Sequence, residues 1–278
     1  MTLSLCCSGL TIAQTKKATT TTSKQLPAKR LTIIDDIPYR SGPSKSWKLD
    51  LAMPENFGGN LHPALVIIHG GGWQAGSKQD RAYRSLLLDY AAKGYTAVSV
   101  EYRFLKEAPF PACIEDVKCA VRWLKAHASQ YQVDTSRIGV YGHSAGAHLA
   151  LMLALVPASA GMEGDGGWIE YTSTVTAVAG GSTPTLLPSR FGADSLKYSP
   201  VTYINAAAPP ILLMHGTADN VVKVETADAF VEKIKKAGAK DITYERIQTG
   251  NHGVVYESYL DRTMSAMSKF FDRTLQEK

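Results

Sequence analysis

One serine in the chain lies in a pattern that could make it a nucleophile. Residues 142–146 read Gly-His-Ser-Ala-Gly, which matches G-x-S-x-G with Ser144 at the centre. The pattern follows the apolar run 138–141 and precedes a run of small and apolar residues that starts at Ala145, as a strand-turn-helix nucleophile elbow requires. A hydroxyl at a helix N-terminus lies in a positive field, which favours the negative charge that forms during acyl transfer. The alternative is a structural serine at a strand-to-helix turn.

A glycine-rich stretch could stabilise that charge. Residues 69–73 read His-Gly-Gly-Gly-Trp, directly after the apolar run 65–68. Consecutive glycines let backbone N–H groups point into a cavity that no side chain fills. The N–H groups of Gly71, Gly72 and Ala145 are therefore candidates for an oxyanion hole, in which the loss of one donor typically raises the barrier by about 3 to 4 kcal/mol. The alternatives are a flexible turn and a phosphate loop, although no Lys-Ser or Lys-Thr follows as in a Walker loop.

A nucleophilic serine needs a general base, and chain order selects one of the seven histidines. After a nucleophile elbow, the acid follows the serine and the histidine follows the acid. His252, in Gly-Asn-His-Gly after the last predicted strand, satisfies this order, and its alternative is a surface histidine. The remaining histidines come before Ser144, directly after it or ahead of the best acid: His62, His69, His127, His143, His148 and His215.

Asp219 is the preferred acid. It lies just beyond the predicted strand 211–215, and the carboxyl ends of parallel strands share one edge of a sheet with the elbow. A carboxylate there could fix the tautomer of His252 and stabilise its imidazolium form. Two alternatives stay open: Asp228, on a predicted helix, and Asp194, in an irregular stretch.

The elements that must position these residues alternate from Ala64 onward. Short apolar runs alternate with longer amphipathic ones, which predicts an α/β fold with a mostly parallel sheet covered by helices on both faces. The predicted strands are 65–69, 96–102, 137–142, 175–180, 211–215 and 242–247, with 47–53 at the antiparallel edge. The predicted helices are 82–93, 112–129, 145–156, 224–237 and 256–275. The stretches 157–167 and 183–210 fit neither period and could carry a substrate loop or lid.

Composition places these elements in one catalytic domain, 31–278. The chain has 278 residues, 45% of them hydrophobic and 20% charged, and part of its formal charge of +5 lies near the start. We expect no nucleic-acid partner, because no basic run is interleaved with aromatic residues, and no stretch is apolar enough to span a bilayer. Residues 1–13 are typical of a signal peptide cut ahead of Gln14, which predicts a secreted or periplasmic protein; otherwise it is cytoplasmic. Residues 14–30 are predicted to form a flexible linker.

Two cysteines fall on one predicted helix. Six residues separate Cys113 from Cys119, a rise of about 9 Å along a helix. A disulfide requires Cα atoms within about 7 Å, so we expect unpaired thiols. The Cys/His clustering of a zinc site is also missing from the sequence, and we expect no metal.

Several motifs together resemble a known family. The stretches 69–73, 101–103, 109–111, 142–146 and 209–219 look like those of the carboxylesterase and hormone-sensitive-lipase-like branch of the α/β-hydrolases. Within that branch, His-Gly-Gly-Gly-Trp is most similar to the feruloyl and acetylxylan esterase-like group. The resemblance extends from about Ile33 to the C-terminus and implies hydrolysis of carboxylic esters without a cofactor.

The resemblance also implies a substrate range and leaves alternatives. It favours short-chain acyl esters or carbohydrate-linked acetyl and feruloyl esters, in a fairly open site with a small cap or none. Four apolar residues are candidates for lining the pocket or for the core: Trp73, Phe104, Leu105 and Trp168. A small-substrate serine peptidase or amidase of the same fold remains an alternative, as does a non-catalytic α/β-hydrolase that binds a ligand or partner.

Overall fold

The computed structural model describes residues 30–55, 58–254 and 260–276. The predicted signal peptide, 1–13, and the predicted linker up to residue 29 lie outside the described residues. The strands are β1 Leu31–Pro38, β2 Lys48–Pro54, β3 His62–Ile68, β4 Thr96–Val100, β5 Val133–His143, β6 Ala177–Gly181, β7 Ile211–Gly216 and β8 Ile242–Ile247. The helices are α1 Arg81–Ala92, α2 Ala112–Ala126, α3 Ala145–Leu155, α4 Val224–Lys236 and α5 Leu260–Phe271.

These strands form one mixed sheet in the order β1-β2-β4-β3-β5-β6-β7-β8. Strands β1, β2 and β4 pair antiparallel, and all the pairs from β4 through β3 to β8 are parallel. The carboxyl ends of the parallel strands therefore meet at one edge, where ligand sites of open α/β sheets form. The predicted α/β-hydrolase type of fold, a mostly parallel sheet flanked by helices, is confirmed.

The central strands of the sheet are buried on both faces. Along β3, Val66 and Ile68 pack into the cluster under α2, α3 and α4, whereas Leu65 and Ile67 pack into the cluster under α1 and α5. Successive side chains of a strand point to opposite faces, so a strand covered on both sides reads as a continuous apolar run. This is why the run Leu-Val-Ile-Ile predicts a strand although it does not alternate.

The prediction for the antiparallel edge was wrong. Strand β2 was expected at the edge, but it lies between β1 and β4, and β1 forms the edge. Sequence periodicity missed β1 because this strand is mostly exposed and its register shifts between Ile34 and Ile37. Asp36, inside the shift, has a φ of 58°. An irregular, exposed edge strand has no clean period of two.

The helices begin and end within a few residues of the predictions. Helix α1 ends just before Gly94, whose φ of 96° is the left-handed conformation that glycine supplies after a helix. Helix α5 is described from Leu260 and continues into one π-helical turn, 272–276; the predicted start at 256 lies outside the described residues. The insertion 183–210 contains two short 3₁₀ helices, Ser189–Phe191 and Pro200–Tyr203.

The remaining structural predictions concern thiols and membranes. Cys113 and Cys119 are buried and unpaired, as the helical spacing predicts. Burial raises the pKa of the Cys119 thiol to about 11, which leaves it protonated near neutral pH. Across the described ranges, no helix has the length and apolar character needed to cross a bilayer.

Candidate active site

Ser144 lies on a sharp turn between β5 and α3. Its φ of 54° and ψ of −120° place a non-glycine residue in a rarely populated conformation, as is typical of a nucleophile elbow. The two glycines of the motif permit the turn. A Cβ atom at Gly142 would overlap the carbonyl of Gly146, and a Cβ atom at Gly146 would overlap the carbonyl of Ile68. The elbow therefore packs directly against the end of β3.

The structure brings Ser144, His252 and Asp219 into one hydrogen-bonded chain. The Nδ1 atom of His252 lies 2.9 Å from Oδ2 of Asp219, and its Nε2 atom lies 3.0 Å from Oγ of Ser144. An ionised carboxylate only accepts hydrogen bonds, so Nδ1 carries the proton and donates it. Nε2 is then the acceptor for the serine hydroxyl. This is the order nucleophile, base and acid that the sequence predicts.

The Asp219 carboxylate is kept in its charged form. Burial by itself raises its pKa, but hydrogen bonds from His215, His252 and the backbone N–H groups of Val222 and Val221 lower the pKa far below its usual range. The two backbone bonds are both 2.9 Å long and end on Oδ1. Oδ1 is thus fixed by the backbone, which leaves Oδ2 to face the imidazole.

A second histidine approaches the same carboxylate. Nε2 of His215, at the end of β7, lies 2.9 Å from the carbonyl oxygen of Val222 and 3.3 Å from Oδ2 of Asp219. Both partners are acceptors, so Nε2 carries a proton shared between them. His215 is buried, and these two contacts connect the Asp219 carboxylate to the loop at Val222. Chain order excluded His215 as a base, and the sequence indicated no other part for it.

The loop that carries His252 is fastened by its backbone. The carbonyl oxygen of His252 accepts hydrogen bonds from Nε2 of His143 at 2.8 Å and from Oγ of Ser182 at 2.9 Å. His143 ends β5, and Ser182 directly follows β6, the neighbouring parallel strand. Burial lowers the pKa of His143 to about 4, so its ring is neutral at neutral pH. The contact of Ser182 with His252 was not predicted from the sequence, although a serine at the end of the strand beside the elbow could have been named as a candidate site residue.

The glycine loop lies beside Ser144. The N–H group of Gly70 donates to the hydroxyl of Tyr83 at 2.7 Å, and the carbonyl of Gly71 accepts from Gln74 and Ala75. Within the described residues, the N–H groups of Gly71 and Gly72 make no hydrogen bond. Both residues line the cavity that contains Ser144. Their positive φ values, 117° and 62°, explain why this loop uses glycine.

The third predicted donor is the N–H group of Ala145. It is the first residue of α3, and first-turn N–H groups have no partner within the helix. Ala145 is buried directly after the turn of the elbow. The three predicted donors thus belong to the two segments that meet at Ser144.

His69 fixes the start of the glycine loop. Its Nδ1 atom lies 2.7 Å from the carbonyl of Gly70, its Nε2 atom lies 2.9 Å from a carboxylate oxygen of Glu101, and its ring stacks on Tyr102 at 4.3 Å. The hydroxyl of Tyr102 donates to the carbonyl of His69. Residues 101–102, which were predicted to belong to β4, lie just beyond its end, and their side chains support this loop.

An aromatic wall adjoins the glycine loop. The indole N–H of Trp73 donates to Nδ1 of His148 at 3.3 Å, and Nε2 of His148 donates to the carbonyl of Tyr198 at 2.7 Å. Burial lowers the pKa of His148 to about 4, so the ring stays neutral and links the loop to the insertion. The Trp73 ring packs edge-on against Phe110 and Phe191.

The cavity that contains Ser144 has a volume of about 520 Å³. Its walls are the glycine loop, His252, Tyr83 and Asp80 at the start of α1, and the exposed Val221. Such a volume lies in the range of small-molecule sites.

Other candidates lie elsewhere. Asp228 accepts from the hydroxyl of Tyr244 and pairs with Arg246, and Asp194 lines a separate cavity in the insertion. The Trp168 indole donates to the carbonyl of Tyr39 and lines a third cavity. In the described part of the chain, no group of three or more His, Cys, Asp or Glu residues could hold a metal ion.

A family model matches this chain over most of the residues that build the site. The model described as BD-FAE matches residues 49–189 and 191–234, well over half of the chain. The chain belongs to the BD-FAE family. The match includes the glycine loop, the elbow and Asp219 of this BD-FAE member, and it ends before His252.

Curated relatives of this chain are named as esterases or carboxylic ester hydrolases. Probable carboxylic ester hydrolase LipM of Mycobacterium tuberculosis is 30% identical over 213 residues, which cover 68% of this chain and 49% of LipM. Esterase LipC of the same organism is 29% identical over 217 residues, 69% of this chain and 53% of LipC. The chain spans about half the length of the curated relatives it matches.

Solved structures share the fold over nearly their whole length. The truncated form of a carbohydrate esterase from gut microbiota superposes with a TM-score of 0.80 and 25% identity, covering 90% of this chain and 98% of that chain. Est2, a thermophilic esterase from Thermogutta terrifontis, superposes with a TM-score of 0.75 and 26% identity, covering 90% and 93%. The predicted resemblance of this BD-FAE member to the esterase branch of the α/β-hydrolases is confirmed.

Proposed function

We propose that the chain is a serine esterase that hydrolyses carboxylic esters through Ser144, His252 and Asp219. The observation that carries the proposal is the chain of hydrogen bonds from Asp219 through His252 to Ser144, with separations of 2.9 and 3.0 Å. A serine hydroxyl is a weak nucleophile unless a base accepts its proton, and this geometry supplies that base. The names of the relatives, carboxylic ester hydrolase and esterase, support the same reaction.

The proposed reaction has two steps. Oγ of Ser144 attacks the ester carbonyl while Nε2 of His252 takes its proton, and the negative oxygen is stabilised by the N–H groups of Gly71, Gly72 and Ala145. His252 then donates this proton to the leaving alcohol, and the acyl group stays on Ser144. A water molecule attacks the acyl-enzyme with the help of the same base, which releases the acid and restores the serine. Asp219 stays ionised throughout and stabilises the imidazolium form of His252.

We propose short-chain acyl esters or carbohydrate-linked acetyl and feruloyl esters as substrates. The cavity around Ser144 is about 520 Å³, and its wall includes four glycines, so a substrate can approach the nucleophile without displacing large side chains. One structural neighbour is a carbohydrate esterase, and this similarity supports a sugar-linked ester.

A fluorophosphonate probe and a panel of esters test the proposed function together. We expect the probe to label Ser144, because it reacts with activated serines, and tandem mass spectrometry of the labelled peptide identifies the site. Acetyl, butyryl, octanoyl and feruloyl esters should be hydrolysed, with the acetyl or feruloyl compound ahead of the octanoyl one. An octanoyl preference would contradict the proposed substrate class, and the absence of both labelling and hydrolysis would favour a binding protein. An acyl anilide, added to the panel, separates an esterase from an amidase.

We also propose that the chain is exported and that cleavage ahead of Gln14 precedes function. The support is the short apolar stretch 3–13 and the polar residues that follow it. Expression of the full chain with a C-terminal tag in a bacterial host should give a periplasmic or extracellular product whose first residue is Gln14. An intact cytoplasmic product, identified by mass spectrometry, would contradict export.

A further inference from the structure

The cavity that holds Ser144 contains one charged side chain that the proposed reaction does not use. Asp80, immediately before α1, lies in the wall of this cavity together with Ser144 and His252. Across the described residues, it is the only Asp, Glu, Lys or Arg in that wall. The other polar side chains there are neutral or belong to the proposed machinery, and His143 is neutral because burial lowers its pKa.

The charge of Asp80 is not neutralised by its neighbours. The nearby cation Lys78 is buried and forms ion pairs with Asp50 and Asp36, and Arg84 forms ion pairs with Asp35 and Asp50. Within the described part of the chain, Asp80 forms no ion pair. Its Oδ2 atom accepts a hydrogen bond from the N–H group of Ser77 at 3.0 Å, which orients the carboxylate. Oδ1 has no hydrogen-bond partner among the described residues.

The role proposed for His252 places the alcohol half of the ester in the cavity that Asp80 lines. In the proposed reaction, His252 must pass its proton to the leaving alcohol, so the alcohol lies against His252 when the acyl-enzyme forms. His252 and Asp80 line the same cavity, and four of its eleven lining residues are glycines. A carboxylate accepts hydrogen bonds from hydroxyl groups, attracts cations and repels anions.

We propose that Asp80 is a specificity-determining residue for the alcohol half of the ester. It favours esters whose alcohol carries hydroxyl groups or a positive charge, and it disfavours esters whose alcohol carries an anionic group. The proposal rests on the proposed esterase function. It adds a selection of the alcohol by charge and hydrogen bonding to a site whose wall contains no other Asp, Glu, Lys or Arg among the described residues.

A pair of esters with the same shape and different charge isolates this effect. Acetylcholine carries a quaternary nitrogen where 3,3-dimethylbutyl acetate has a quaternary carbon, and the two esters are otherwise alike. We compare the kcat/KM for the choline ester with the kcat/KM for the dimethylbutyl ester. We expect this ratio to be about three- to tenfold lower in Asp80→Asn than in the wild type, mainly because KM for the choline ester rises. The size is that expected for two opposite unit charges about 4 Å apart in water. Added salt should reduce the wild-type ratio because ions screen the interaction.

Asp89→Asn is the matched control. Asp89 lies near the other end of α1, is exposed, and loses the same charge when it is replaced. Asparagine at position 80 keeps an oxygen that can accept the Ser77 bond, and equal melting temperatures of both variants would show that the fold is retained. We expect the Asp89 variant to keep the wild-type ratio.

The outcomes separate this proposal from the esterase proposal. Hydrolysis of both acetates with an unchanged ratio in Asp80→Asn would overturn the role of Asp80 alone, and so would an equal change in Asp89→Asn. A larger change for an ester that carries the trimethylammonium group on its acyl half would overturn the assignment to the alcohol. If the wild-type protein hydrolysed no ester at all, both proposals would be wrong.

Discussion

Replacing Ser144 with alanine is expected to lower kcat for ester hydrolysis by about 10⁴- to 10⁶-fold. Alanine keeps the Cβ atom and can take up the same backbone conformation, so the elbow, with its φ of 54°, should stay in place. The variant loses the atom that attacks the carbonyl, while the backbone donors of the glycine loop remain. Steady-state kinetics with an acetyl ester measure the loss, and fluorophosphonate labelling should disappear with it.

Ser136→Ala provides the comparison for this result. Ser136 lies on the same strand, β5, far from the elbow, and its exposed hydroxyl donates to Asp134. The Ser136→Ala variant also loses one serine hydroxyl group, and we expect near wild-type kinetics and labelling for it. A Ser144→Ala protein that kept the wild-type rate would refute the assigned nucleophile.

Asp219→Asn is expected to lower kcat by about 10³- to 10⁴-fold, with a small change in KM. An asparagine amide can donate to Nδ1 of His252, which would move the imidazole proton to Nε2. A protonated Nε2 cannot take the proton of Ser144, although the separations of 2.9 and 3.0 Å could be retained. In the wild-type protein, buried hydrogen bonds hold the pKa of Asp219 far below its usual range. Loss of activity in mild acid should therefore not come from protonation of this carboxylate.

The matched variant for this test is Asp228→Asn. Asp228 is the acid that the sequence left open, and in the structure its carboxylate bonds to Tyr244 and Arg246 instead of a histidine. We expect its replacement to change kcat less than about threefold. A large loss in Asp228→Asn with a small loss in Asp219→Asn would reverse the assignment of the acid. Circular dichroism of both proteins would check that neither result reflects unfolding.

Local patterns were enough to predict the residues that meet at the sheet edge. The elbow, the glycine loop and the acid each follow a buried strand, and such strands read as apolar runs because both faces are covered. His252 was selected by chain order alone, and the structure places its Nε2 atom beside Ser144. The strands β3 to β7 were predicted for the same reason, with errors of up to four residues at their ends, whereas β8 is a half-buried edge strand.

The features that were not predicted from the sequence depend on contacts between distant segments. The hydrogen bonds from His143 and Ser182 to the carbonyl of His252 span 109 and 70 residues. The sequence pattern cannot predict such contacts, because the acceptor is a backbone carbonyl oxygen, which every residue has. Strand β1 was missed for a different reason: its exposed, shifted ladder lacks alternation. The hydrogen bond between Glu101 and His69 was not predicted, because the sequence did not show that β4 ends at Val100.

The contact between Gly146 and the backbone of Ile68 and His69 limits how this site can change during evolution. Any side chain at Gly146 would separate the first turn of α3 from the end of β3, and with it Ser144 from the glycine loop. The spacing between Ser144 and the proposed backbone donors is thus set by the main chain and cannot be adjusted gradually. The walls made by Asp80 and Val221 carry no such restriction. New substrates can therefore be acquired by changing the walls while the reacting centre keeps its dimensions.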